Sequence, residues 1–303
     1  RLIVTARAGV ARAVDSGLVA LHWEVGHRIR HEVLHRTRAV YGAEIVSTLS
    51  RQLEPEFGRG FSEKSLRHML RFAEAFPRRE IVSTLSRVLA WSHFLELIYL
   101  DDPLAREFYA EMCRIERWSV RALREKIGSR LYLRTALSKK PAKLARQELT
   151  ALRTADRLTP DLVFRDPYVL DFLGLKDTYA EKDLEAAILR DMESFVLELG
   201  TGFSFVARQR RMTVGGVDHY LDLLFFHRRL RRLVAIDLKL GAFTPADKGQ
   251  MELYLAWLRE HEAVVGEAEP LGLILCAGNN DEPIRLLGLD RGDIRVASYL
   301  AKA

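Results

Sequence analysis

The chain has 303 residues, 48% of them hydrophobic, and carries a formal net charge of +6. That length accommodates two domains of ordinary size, the apolar content supports a well-packed globular protein, and the moderate basic excess suits a polyanionic partner. No apolar run approaches the ~18 residues of a membrane span, and the two cysteines, Cys113 and Cys276, lie far apart in sequence, so neither a disulfide framework nor a CxxC zinc pair is available and a reducing cytoplasm is the default compartment.

Residues 1–135 read as helices throughout, with apolar residues at three- and four-residue spacing in segments such as LVALHWEVGHRI and REFYAEMCRIE. The chain begins at Arg1 rather than Met, so the natural protein is expected to start earlier. Helix breaks are expected at Gly42, Pro55, Gly58, Gly60, Pro77 and Pro103. The octamer EIVSTLSR occurs at 44–51 and again at 80–87, marking two similar helices rather than a repeat architecture. Between the copies, a Gly58-Arg59-Gly60 turn precedes Ser62, a suitable N-cap for the basic helix SLRHMLRFAEAF. Helix, turn and basic helix outline a helix-turn-helix DNA-binding unit, with Arg59, Lys64, Arg67 and Arg71 as its expected nucleic-acid contacts. His31-Glu32-Val33-Leu34-His35 also matches the HExxH zinc pattern, with Glu54 downstream as a third ligand. Arg28, Arg30, Arg36 and Arg38 surround it with positive charge, so a basic, phosphate-facing or solvated helix is the better reading.

Residues 136–160, charged and bounded by prolines, read as a helical linker. From Asp161 to the end the pattern changes to helix (184–199), strand (203–211), strand (218–227), strand (232–240), helix (246–261), strand (271–277) and a short strand near 293–297. Arg208, Gln209 and Arg210 are expected at the end of the first of these strands, within reach of a phosphate backbone.

The strand LVAIDLKLG is apolar and rich in branched residues, as buried central strands are. Strand alternation points Asp237 and Lys239 to one face. Asp222 lies among apolar neighbours in the preceding strand, which hairpin pairing across HRRLRR brings alongside, and Gln250 opens the following helix. Buried carboxylates are costly unless paired or metal-bound. Asp222 and Asp237 together suit a hard cation, Mg²⁺ or Mn²⁺. Lys239 is then a catalytic group and Gln250 positions it or a water.

This constellation resembles the PD-(D/E)XK nuclease superfamily. More narrowly, WSHFLELI (91–98), REFYAEMCRIERWSVRALREKI (106–127), DPYVLDFLGL (166–175), FVLELGTGFSFVARQRRM (195–212), YLDLLFF (220–226), IDLKLGAF (236–243), GQMELYL (249–255) and GLILCAG (272–278) are similar to the YhcG-type family. The resemblance implies an all-α N-terminal domain, helix-turn-helix-like, over 1–135, joined through 136–160 to an α/β restriction-endonuclease-like domain over 161–303 with a mixed sheet flanked by helices. It implies a Mg²⁺-dependent nuclease, in DNA defence or recombination, without implying a known substrate; taken with the basic excess and the lack of a long apolar run, the expected partner is DNA, with RNA left open, a homodimer as one assembly and no membrane. It also implies a further acidic metal ligand on the helix before the first strand. Leu184, Ile188, Met192, Phe195 and Leu199 form that helix's apolar stripe, and Glu185 at its edge is the first choice, with Glu198 second. The alternative from another class is a non-cleaving nucleic-acid-binding or complex-forming module on the same fold.

Overall fold

A computed structural model describes residues 2–34, 39–175, 179–278, 281–289 and 292–301. The chain divides into two compact units, Arg1–Tyr132 and Leu133–Ala303.

The first unit is helical: α1 (Leu2–Arg28), running into a π-helical stretch Ile29–Leu34, then α2 (Ala39–Phe57), α3 (Glu63–Ala75), α4 (Arg79–Leu85), α5 (Trp91–Leu97), α6 (Pro103–Glu116) and α7 (Val120–Gly128), with α8 (Leu131–Arg134) spanning the division in the chain. Helix α3 buries Leu66, Met69, Phe72 and Ala73 and packs on α1. The approach is close enough that a Cβ on Gly26 would lie 1.9 Å from the Met69 carbonyl oxygen, so α1 needs glycine there. Ser62 caps α3 as expected, accepting the Ser65 amide at 3.4 Å. Gly42 and Pro55, expected to break helices, lie inside α2. Pro55 sits in the last turn, where a missing amide removes only one bond of the ladder. The first EIVSTLSR copy falls on α2 and the second on α4 and the two residues after it; both bury their valine and last serine, Val46 and Ser50 in one, Val82 and Ser86 in the other.

The second unit begins with α9 (Ala142–Ala155) and α10 (Pro160–Val163), followed by β1 (Tyr168–Val169), α11 (Glu181–Arg190), α12 (Met192–Leu199), β2 (Phe203–Val214), β3 (Val217–His227), β4 (Arg232–Ala242), α13 (Pro245–His261), β5 (Leu271–Gly278), α14 (Asp281–Leu286) and β6 (Ile294–Leu300). The sheet order is β1-β6-β5-β4-β3-β2, antiparallel from β2 to β4 and parallel from β4 to β1. One face carries a core with Leu184, Ile188, Phe195 and Leu199 of α11 and α12; the other carries a core with Met251, Tyr254, Leu255 and Leu258 of α13. Gly272 on β5 admits α13, since a Cβ there would lie 2.5 Å from Met251 Cγ.

Two expected boundaries are corrected. The single helix over 184–199 is two helices, broken at Asp191 (φ −118°, ψ 48°), whose side chain accepts the Ser194 amide at 3.4 Å and caps α12. The expected apolar stripe still faces the core on both sides of the break, because Asp191 substitutes an N-cap for the lost turn. Strand β2 runs on to Val214, so Arg208, Gln209 and Arg210 lie in its middle and not at its end. The strand turns at Gly215 (φ 57°) and Gly216 (φ 81°), the positive-φ pair that a two-residue hairpin turn requires.

Candidate active site

Pairing of β3 with β4 runs from His227↔Arg232 to Leu223↔Ile236 and stops there. The next residues on the two strands are Asp222 and Asp237, so both acids stand where the strands diverge. Asp222 fills the gap left by the interrupted ladder: its Oδ2 accepts the Leu238 amide at 2.8 Å. On β4, Val234, Ile236 and Leu238 face the α11–α12 core, which leaves Asp237 and Lys239 facing α13, as alternation predicts.

Asp237 is buried, and its Oδ2 lies 2.9 Å from Lys239 Nζ without any well-aligned hydrogen-bond donor. Burial pushes its pKa up to about 6; Lys239 opposes the rise and the Asp222 carboxyl adds to it. Burial works against the Lys239 ammonium too, but the adjoining Asp237 carboxylate, helped by Asp247 and Glu181, raises its pKa overall. Lys239 Nζ donates to Gln250 Oε1 at 3.4 Å, Gln250 Nε2 donates to the Tyr254 hydroxyl, and that hydroxyl donates to the Tyr220 carbonyl at 3.1 Å. Tyr254 extends the chain one helical turn beyond Gln250 and was overlooked in the sequence, although its i+4 spacing puts the two on one face of α13. Asp247 was also overlooked. It caps α13 by accepting the Thr244 amide at 2.7 Å, and its other oxygen lies 3.8 Å from Lys239 Nζ. The Thr-x-x-Asp spacing at a Pro-led helix start was the signal for it.

The two candidate helix acids separate clearly. Glu185 on α11 accepts the Gln209 amide at 2.9 Å, and the same nitrogen donates to Asp222 Oδ1 at 3.0 Å, so Glu185 adjoins the site. Glu198 on α12 accepts Arg134 Nη1 at 2.5 Å, Arg165 Nη1 at 3.1 Å and the Val169 amide at 2.9 Å, which commits it to holding β1. Gln209 has φ +44°. It stands opposite Asp222 in the β2–β3 register, between the paired Arg208↔Leu223 and Arg210↔Leu221. Leu221 and Leu224 both pack toward α13, so strand alternation is interrupted at Asp222.

The oxygen-rich, partly unsatisfied pair fits a hard cation, which binds one or two carboxylates and retains waters. Among the described residues no cluster of three His, Cys, Asp or Glu side chains is already assembled for a metal, and Glu185 is linked to the pair through Gln209. In the HExxH segment, His31 lies in the π-helical stretch with its ring 4.3 Å from that of His27, and His35 lies outside the described residues.

Of the expected nucleic-acid contacts, Arg59 and Lys64 are exposed. Arg67 pairs with Glu63 at 2.6 Å. Arg71 donates to the Ile98 carbonyl at 2.9 Å and stacks 4.5 Å over the Tyr99 ring. Arg67 and Arg71 line a cavity of about 600 Å³ with His68, Tyr99, Asp101 and Arg106. Arg208 is exposed on β2, and Arg210 is ion-paired with Glu262.

Residues 161–302 match the YhcG PDDEXK nuclease domain, and residues 1–134 match the DUF1016 N-terminal domain. A protein of Escherichia coli (strain K12) named "Putative nuclease YhcG" is 37% identical over 320 residues, covering 95% of this chain and 84% of its own. A crystal structure of a repair endonuclease from Pyrococcus abyssi aligns with 42% of this chain and 50% of its own, at 18% identity and a TM-score of 0.29.

Proposed function

This chain belongs to the YhcG family, and from that premise we propose that it is a divalent-metal-dependent nuclease hydrolysing phosphodiester bonds in DNA. The observation that carries the reading is the fork between β3 and β4, where Asp222 and Asp237 converge beside Lys239 and where Asp237 Oδ2 is buried without a well-aligned hydrogen bond. Lys239 balances one of the two converging carboxylate charges, and a cation would balance the other.

Asp222 and Asp237 would hold Mg²⁺ or Mn²⁺, with Glu185 as a further acidic ligand. When bound, the cation would lower the pKa of a water and offset charge on the phosphate oxygens. Asp222 is oriented for this by the Leu238 amide, and Lys239 keeps its proton because Asp237, Asp247 and Glu181 favour the ammonium. Lys239 then presents fixed positive charge to the phosphate as negative charge develops. Gln250, itself held by Tyr254, fixes the direction of that ammonium. Arg59, Lys64, Arg67 and Arg71 of the helical unit, with Arg208 and Arg210 on β2, are proposed to contact the nucleic-acid backbone. Buried, unpaired Cys113 and Cys276 suit a reducing cytoplasm.

The test is to incubate the full chain with duplex, single-stranded and branched DNA and with RNA, in Mg²⁺, Mn²⁺ or EDTA. Divalent-dependent cleavage of a DNA form, lost in Asp222→Asn, is expected. Absence of cleavage across all forms, or cleavage that persists in EDTA or in Asp222→Asn, overturns the proposal.

A further inference from the structure

Gln209 holds an unusual position. Its φ of +44° is one that L-residues with long side chains rarely adopt, and it occurs opposite Asp222, where strand alternation is interrupted. Strained backbone persists where surrounding contacts over-determine it, and such places cluster at functional sites. Here the contacts are explicit: one amide nitrogen donates to Glu185 Oε2 at 2.9 Å and to Asp222 Oδ1 at 3.0 Å. Ionised carboxylates only accept hydrogen bonds, so the nitrogen, and not the amide oxygen, must face both acids. The same Asp222 carboxylate receives the Leu238 amide on its other oxygen at 2.8 Å. Asp222 is thus clamped from two sides, by β4 through a backbone donor and by β2 through the Gln209 amide.

We propose that Gln209 is a positioning residue for the cation site: its side-chain amide ties Glu185 on α11 to Asp222 on β3 and sets the spacing and direction of the two carboxylates. Without the tie, two like charges from separate elements repel, and the exposed end of the Glu185 side chain has no partner to bring it toward the fork. Outer contacts of this kind orient metal ligands, and their loss typically lowers metal affinity by roughly 10–100-fold. The strain is retained because a residue of ordinary φ at this point would aim its side chain elsewhere. A glycine or asparagine would suit the backbone better, but the first has no amide side chain and the second is one methylene too short to span both acids.

This inference rests on the proposed metal site, and the experiment separates the two. Binding of Mg²⁺, Mn²⁺ and the non-catalytic probe Ca²⁺ is measured by calorimetry on the full chain for wild type, Gln209→Ala, Gln209→Gly and Gln209→Asn, with thermal unfolding in parallel. All three variants are expected to bind each cation roughly 10–100-fold more weakly. Gln209→Gly and Gln209→Asn should do so while staying fully folded, because both accommodate the positive φ. In a double-mutant cycle with Glu185→Ala, the effect of removing Gln209 should shrink, because its tie has lost one end. Wild type that binds none of the three cations overturns the metal-site reading itself. Wild type that binds, with Gln209→Gly and Gln209→Asn binding equally well, makes Gln209 a backbone feature only and overturns the inference. Tighter binding in the variants overturns it as well, since the amide would then be competing with the cation.

Discussion

At the β1 edge of the sheet, Glu198 receives Arg134, Arg165 and the Val169 amide, while at the β3–β4 fork Asp237 is buried with one oxygen lacking a well-aligned donor and a pKa pushed up to about 6. Both carboxylates belong to one unit and flank one sheet. The difference lies in how fully each is satisfied. Three donors around Glu198 offset the desolvation of its charge, and the cluster joins the start of the unit to α12 and β1. Asp237 is offset by Lys239 alone, and Asp222 works against it. An acid with donors on both oxygens is held by the fold; one left short of donors is where a ligand would be stabilised in turn.

The largest effects are expected at the fork. Asp222→Asn keeps shape and removes charge, so cleavage should fall by at least about 10³-fold while the fold is retained. Rates and circular dichroism on the same sample check this, and unaltered Mg²⁺ affinity by calorimetry would rule Asp222 out as a ligand. The converse experiment is Glu198→Ala, which leaves two guanidinium groups buried without their acid and should cost about 3–5 kcal/mol in denaturant unfolding. If Glu198→Ala instead leaves stability unchanged and weakens metal binding, the two clusters have been assigned the wrong way round.

Lys239→Ala should slow cleavage by roughly 10²-fold with little change in DNA affinity, because most affinity comes from other phosphate contacts. Cleavage at near the wild-type rate would make Lys239 structural. The pH dependence sharpens the comparison further. The folded state holds the Asp237 proton more tightly than the unfolded chain does. Its contribution to metal-free stability is therefore fully present below the ordinary carboxylate range and lost as pH rises through about 6. Metal affinity runs the other way, falling by about tenfold per pH unit below 6, as protons compete for the carboxylate. Calorimetry from pH 5 to 8 should show that slope in wild type, and Asp237→Asn should lose the matching slope in unfolding temperature. The smallest expected effect is in the helical unit: reversing the charges of Arg59 and Lys64 should flatten the salt dependence of DNA binding by about two units of slope, at ~0.9 per phosphate contact. An unchanged slope would assign that surface to another partner.

Much of this was legible locally. Alternation along LVAIDLKLG placed Asp237 and Lys239 on one face, the apolar stripe of α11 and α12 picked Glu185 out beside the core, and Ser62 marked the start of α3. Even the duplicated EIVSTLSR buries the same valine and serine in both copies. These features follow from backbone periodicity and near-neighbour hydrogen bonds, which a short stretch of sequence contains in full.

Only the tertiary structure decided which acids are satisfied. Glu185 and Glu198 are equally plain as helix glutamates in the sequence, but one meets Gln209 and the other meets Arg134 and Arg165, the latter residues 64 and 33 positions away. The divergence of β3 from β4 after Leu223↔Ile236, the positive φ of Gln209 and the continuation of Lys239 through Gln250 to Tyr254 are likewise settled by contacts between elements. A residue's type fixes what bonds it can make. Whether a buried charge finds enough partners depends on which distant segments the fold brings against it, and that balance of desolvation against pairing separates Glu198 from Asp237 in this protein.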